Sequence, residues 1–175
     1  MADAKDMEPL DTYNIRSFEK KQEKQMAGVK PVPDGYHTAT PYLIVSDAAK
    51  AIDFYKRAFG ATELMHMDGP NGRVMHAEIK IGDSIIMLGE ENARAGVRSP
   101  QSLGGSPVFL YLYVEDCDRA FNQAVEAGAN TVNSVKDQFY GDRSGSVKDP
   151  FGHSWWIATH KENVSMEEIR RRMAA

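Results

Sequence analysis

From residue 36 onward, apolar runs, amphipathic stretches and turn residues follow one another in an order that occurs twice. "TATPYLIV" predicts a short apolar strand, after which Ser46 and Asp47 stand as caps for the helix "AAKAIDFYKRAFG". In that helix Ala48, Ile52, Tyr55 and Phe59 recur at i+3 and i+4 spacing, and Gly60 is placed to end it. "ATELMHM", the turn "DGPNG", "RVMHAEIKI", the tight "GD" turn and "SIIMLGE" then predict three strands. The second half repeats the order: strand "SPVFLYLYV", helix "EDCDRAFNQAVEAGA", and the extended pieces "NTVNSVKDQFYG", "DRSGSVKDP" and "HSWWIATH". One βαβββ unit would leave a sheet face exposed, whereas two account for the length. "SMEEIRRRM" carries Ser165 with Glu168 three positions on, a capping-box pattern that predicts a short terminal helix. Residues 1–35 read as an arm in which "NIRSFEKKQEKQMAG" forms a charged helix ended by Gly28, and "KPVPDG" stops it. The division is therefore an arm at 1–35, modules at 36–98 and 99–163, and a helix at 164–175.

Period-two alternation sorts the strand side chains onto two faces. Leu43 and Val45, Ala77, Ile79 and Ile81, and Leu110, Leu112 and Val114 form apolar rows suited to lie under a helix. Opposite them fall Thr40, Tyr42 and Ile44, then His76, Glu78 and Lys80, then Phe109, Tyr111 and Tyr113. A two-residue turn at Gly82 and Asp83 puts Glu78 opposite Met87. Trp156, Ala158 and His160 share a face opposite Trp155 and Ile157.

Composition narrows the class. The 175 residues are 42% apolar and 26% charged, ordinary for a folded domain, and the net charge of -4 gives no broad footprint for nucleic acid or an anionic membrane. The single Cys117 excludes an internal disulfide and has no metal-ligand spacing. "MADAKDMEPLDTYNIR" has no apolar core of a signal peptide, and no stretch approaches the roughly 20 apolar residues of a membrane span. A cytoplasmic setting is expected.

The stretches "TPYLIVSDAAKAIDFYKRAFGA", "HAEIKIGDSIIML", "LYVEDCDRAF", "DQFYGDRSGSVKDPFGH" and "ATHKENVS" resemble the vicinal oxygen chelate superfamily, and within it the PhnB-like branch. That superfamily includes glyoxalase I, extradiol dioxygenases and bleomycin-resistance proteins. The resemblance implies an α+β fold of two tandem βαβββ modules forming a cupped mixed sheet, the glyoxalase/bleomycin resistance fold, in a homodimer. It also implies metal ligands at four equivalent strand positions, which here are Thr40, Met87, Phe109 and Trp156. None is a good donor to a divalent ion, and neither are the neighbours Pro41, Leu88, Leu110 and Ile157. No metal or other cofactor is expected at the inherited site. A relocated site would draw on His76 and Glu78 with a third ligand from His153, Asp142 or His160.

Three readings follow. The first is a metal-independent protein binding a hydrophobic or aromatic small molecule in a concave pocket lined by Thr40, Tyr42, His76, Met87, Phe109, Tyr111, Tyr140 and Trp156. The second is a lyase, isomerase or dioxygenase, either with the relocated metal or with Glu78 as base and Arg143 holding an enolate-like charge. The third is a structural or interaction protein whose hollow is filled. For Arg143, beside the flexible "YG" and "SG" pairs, anion binding competes with an internal ion pair to Asp142 or Asp137.

Overall fold

A computed structural model of the chain describes residues 29–174. The helix expected within the arm lies outside the described residues. The body from Gly35 onward forms one unit.

Its first module comprises β1 (Tyr42–Val45), α1 (Ala48–Phe59), β2 (Thr62–Asp68), β3 (Val74–Ile81) and β4 (Ser84–Glu90). Asp47 caps α1 by accepting the Lys50 amide, and Gly60, with φ 65°, closes it in the left-handed conformation that glycine adopts without penalty. A one-turn helix α2 (Pro100–Leu103) leads to the second module: β5 (Phe109–Tyr113), α3 (Cys117–Glu126), β6 (Asn130–Asp137), β7 (Asp142–Lys148) and β8 (Ser154–His160). α4 (Met166–Met173) follows, with Ser165 accepting the Glu168 amide.

Hydrogen bonding divides the strands into two four-stranded mixed sheets, ordered β1-β4-β3-β2 and β5-β8-β7-β6. In each, the first strand runs parallel to the last and the remaining pairs are antiparallel. The registers coincide: Tyr42 pairs with Met87 as Tyr111 pairs with Trp156. The duplication read from the sequence is thus a structural one. Strand β5 begins at Phe109, because Ser106 and Val108 spend their polar groups on a local turn in which the Ser106 hydroxyl accepts the Val108 amide.

The helix-facing rows Val45, Ala77, Ile79, Leu88, Val147, Trp155 and Ile157 are all buried, in one core that spans both modules. The junction is aromatic. Trp155 packs against Phe59 and Tyr55 at ring distances of 4.7 and 5.4 Å. Beneath these rings lies the carboxylate of Asp149, which accepts from the Tyr55 hydroxyl at 2.7 Å and the Trp155 indole at 2.9 Å. Its other oxygen accepts the Phe151 and His153 amides, both at 2.9 Å. The "DPFGH" turn therefore fastens the two modules to each other. Outside the core, Arg57 and Gln123 exchange hydrogen bonds with the backbone carbonyls of Ala127 and Arg57 across α1 and α3. No helix among the described residues is long and apolar enough to cross a membrane.

Candidate functional site

On the face of the first sheet turned away from α1, alternation along β3 presents His76 and Glu78. The hairpin register sets Glu78 opposite Met87, and the parallel pairing sets Met87 beside Tyr42. A continuous polar chain results. The Tyr36 hydroxyl donates to Glu78 Oε2, His76 Nε2 lies 3.2 Å from Glu78 Oε1, and the Tyr42 hydroxyl lies 3.1 Å from His76 Nδ1. A proton on Nε2, facing the carboxylate, leaves Nδ1 to accept from Tyr42. Gly89 makes this possible: a Cβ there would stand 2.7 Å from the Tyr42 hydroxyl. Hydrogen bonding to the Glu78 carboxylate raises the Tyr36 phenol above its ordinary range, and burial raises that of Tyr42.

The second sheet carries its own chain. Tyr113 donates to Asp142 Oδ2 at 3.0 Å, His160 Nδ1 lies 2.8 Å from Asp142 Oδ1, and His160 Nε2 lies 3.0 Å from Asn163 Oδ1. Asn163 and Asp142 together raise the His160 pKa. Tyr111 stacks parallel to Trp156 at 6.2 Å, and desolvation followed by the neighbouring Tyr140 phenol raises Tyr111. Tyr140 itself is half-buried and meets Phe139 edge-on at 5.2 Å. The aromatic side chains of this face are open: Phe109 is 60% exposed and Tyr113 65%, against 47% for Tyr42 on the first sheet.

Strands β1 and β5 are sheet edges. Pro41 and Val45 give their carbonyls to β4 and the residue after it, so the backbone of Tyr42 and Ile44 points the other way. Ile44 meets His153 there, with its carbonyl 3.0 Å from the ring Nε2. Along these edges lies an open cleft of about 910 Å³ whose walls include Thr40, Tyr42, Ile85, Phe109, Tyr111 and Trp155.

Thr40, Tyr42, Phe109 and Tyr111 are thus brought together in the cleft. Glu78, His76 and Met87 stand further along the first sheet, outside its walls, and Trp156 and Tyr140 flank Tyr111 on the second. Arg143 is not brought together with Glu78. Alternation turns it away from Asp142 and Ser144, and its guanidinium grips Asp118 of α3 through Nε at 2.6 Å and Nη2 at 2.7 Å, with Asp137 at 3.2 Å. Asp137 is one of the two partners the sequence offered; Asp118 came into reach because it occupies the first turn of α3. Two contributors escaped the sequence reading. Tyr36 lies between the arm and the first predicted strand, and Arg98 lies in a segment with no periodicity; only the absence of a nearby acidic neighbour in "GVRSPQS" marks it.

Thr40, Met87, Phe109 and Trp156 do not fit a divalent ion. The Thr40 hydroxyl donates to the His37 carbonyl at 3.1 Å, and the other three side chains offer a thioether and two rings. The pairs His76–Glu78 and Asp142–His160 belong to different sheets, and no group of three His, Cys, Asp or Glu side chains converges among the described residues.

Two βαβββ modules with matched registers, each presenting an open face beside a shared edge cleft, define a protein of the paired-module α+β class. The profile of the Glyoxalase/Bleomycin resistance protein/Dioxygenase superfamily matches residues 36–157, and the chain belongs to that superfamily. An uncharacterized protein of Mycobacterium tuberculosis strain H37Rv is 44% identical over 139 residues, 78% of this chain and 82% of the relative. The crystal structure of TioX from Micromonospora sp. ML1 is similar with a TM-score of 0.56 and 26% identity, covering 70% of this chain and 98% of TioX. A PhnB protein from Bacillus cereus shares the fold, with a TM-score of 0.56 and 17% identity over 70% of this chain and 99% of its own.

Proposed function

We propose that the chain is a metal-independent binding protein for a hydrophobic or aromatic small molecule, working as a homodimer in the cytoplasm. The observation that carries this reading is the set of large aromatic side chains left open beside the edge cleft: Tyr42, Phe109, Tyr111 and Tyr113. Exposed apolar patches of this kind mark binding surfaces. A ligand takes the cleft, and a second copy covers the open sheet faces. The four non-ligating residues at the inherited metal positions support metal independence, and the unpaired Cys117, its thiol pushed up by burial, suits a reducing compartment.

The test is titration with the neutral dye N-phenylnaphthylamine in the presence and absence of EDTA, with sedimentation for the assembly. Saturable binding that ignores EDTA and weakens in Phe109→Ala is expected, by a dimer. Binding that requires an added divalent ion, or no binding by folded protein, refutes the reading.

A second reading, proton transfer, is favoured by the Tyr36–Glu78–His76–Tyr42 chain, which pairs a carboxylate with an oriented imidazole. It needs an anion-stabilising group other than Arg143, whose donors are engaged. Glu78→Gln would abolish turnover of a C–H acid while leaving dye binding intact; loss of both together would speak against it.

A further inference from the structure

The cleft between the β1 and β5 edges has a charge pattern that its apolar walls conceal. Not one Asp or Glu lines it, although the chain as a whole carries 25 acidic residues against 21 Lys and Arg. Its lining holds one permanently charged side chain, Arg98, together with the hydroxyls of Thr38, Thr40, Ser84 and Ser106.

Arg98 also borders a second, polar cleft of about 920 Å³, shared with Arg73, Arg94, Asn92, Glu91 and Ser102. The charges there do not cancel. Arg73 is paired with Glu90 at 2.6 Å. Glu91 is an anion held down at about 2 by the hydroxyls of Ser102 and Ser99 and the Ser99 amide, all three of which donate to its Oε2. Arg94 and Arg98 have no hydrogen-bond or ion-pair partner among the described residues, which leaves two guanidiniums against one carboxylate. The loop that presents them is braced: Asn92 and Val97 exchange both backbone hydrogen bonds, and the Asn92 side chain accepts the Ala95 amide at 3.3 Å. The two arginines are therefore carried on a defined frame, with Arg98 bordering both clefts and Arg94 the polar one.

We propose that the cleft selects amphipathic anions: a flat apolar body lies along β1 and β5 between Tyr42, Phe109 and Tyr111, and a carboxylate, sulfonate or phosphate group is held by Arg98 with Arg94 beside it. This deepens the small-molecule reading and rests on it. The guanidinium fork suits such oxyanions, and a lining free of carboxylates disfavours cationic guests by offering them no partner.

The experiment pairs two dyes of nearly the same apolar body, anilinonaphthalene sulfonate and neutral N-phenylnaphthylamine, with wild type, Arg98→Gln, the double variant Arg94→Gln/Arg98→Gln, and Arg119→Gln as a control cation on α3. One charge-assisted hydrogen bond corresponds to about tenfold in affinity. Wild type is expected to prefer the sulfonate by that factor, the double variant to lose the preference while keeping the neutral dye, and Arg119→Gln to behave as wild type. Equal binding of both dyes by wild type, or a preference that survives in the double variant or falls equally in Arg119→Gln, overturns the anion site and leaves the binding reading intact. Failure of folded wild type to bind either dye overturns both.

Discussion

Asp149 offers the sharpest test of how the two modules are held together. Its carboxylate is buried and accepts four hydrogen bonds, two per oxygen: Oδ1 takes the Phe151 and His153 amides, and Oδ2 takes the Tyr55 hydroxyl and the Trp155 indole. Tyr55 and Trp155 are themselves fully buried, so no water can replace the lost acceptor. Burial, followed by the same carboxylate, pushes the Tyr55 phenol well above its ordinary range. Hydrogen bonds to a charged group contribute about 1.5–3 kcal/mol each, and their losses within one network overlap. Asp149→Ala should therefore cost about 4 kcal/mol, which for a chain of this size lowers Tm by roughly 12 °C.

Asp149→Asn separates the two oxygens. An amide keeps a carbonyl for the two loop amides but turns its NH2 toward the Trp155 indole, which can only donate. Its cost should fall near half that of the alanine variant, about 2 kcal/mol. Urea unfolding followed by Trp fluorescence and near-UV circular dichroism measures both. Tyr55→Phe, about 1–2 kcal/mol in wild type, should cost almost nothing in the Asp149→Ala background. A loss below about 1 kcal/mol in Asp149→Ala, or strict additivity with Tyr55→Phe, would show that aromatic packing alone joins the modules.

Two further outcomes are expected. Gly141 has φ 103°, and a Cβ there would meet the Glu162 carbonyl oxygen at 2.2 Å, where the Lys161 and Glu162 amides return to the Gly141 carbonyl; Gly141→Ala should cost about 3 kcal/mol and release the segment after β8, read as faster amide exchange at Lys161 and Glu162, and unchanged exchange would contradict this. His160, raised above the ordinary value of 6.5 by Asn163 and Asp142, contributes stability that is complete below the unfolded pKa and disappears as pH rises through the folded one. The Tm difference between wild type and His160→Gln should accordingly be larger at pH 5.5 than at pH 8.5, and a difference that grows with pH would refute the assignment.

The strand faces were legible because burial enforces a period of two: a one-residue slip would expose Ile79 or Leu88, which are fully buried. The short "GD" turn likewise left one register, and Glu78 lies opposite Met87 as that turn requires. What could not be read are contacts that no local rule generates. Asp149 stood in a turn sequence, and nothing in "DPFG" says that its carboxylate reaches Tyr55, 94 positions away. For Arg143 the adjoining glycines leave anion binding and an internal ion pair both open, and strand alternation places it on the side opposite Asp142, toward α3, where Asp118 waits. The candidate site shows the same division. Its aromatic rows follow from alternation, but its proposed selectivity depends on Arg98, a loop residue whose meaning comes from the absence of carboxylates from the lining of the apolar cleft. An absence of that kind is a property of the assembled cleft, because the residues lining it come from segments spread between His37 and Trp155 and none of them alone excludes a cation. Chemistry carried by a strand face is therefore accessible to sequence reasoning here, while chemistry carried by the junction of the two modules is created only when they dock.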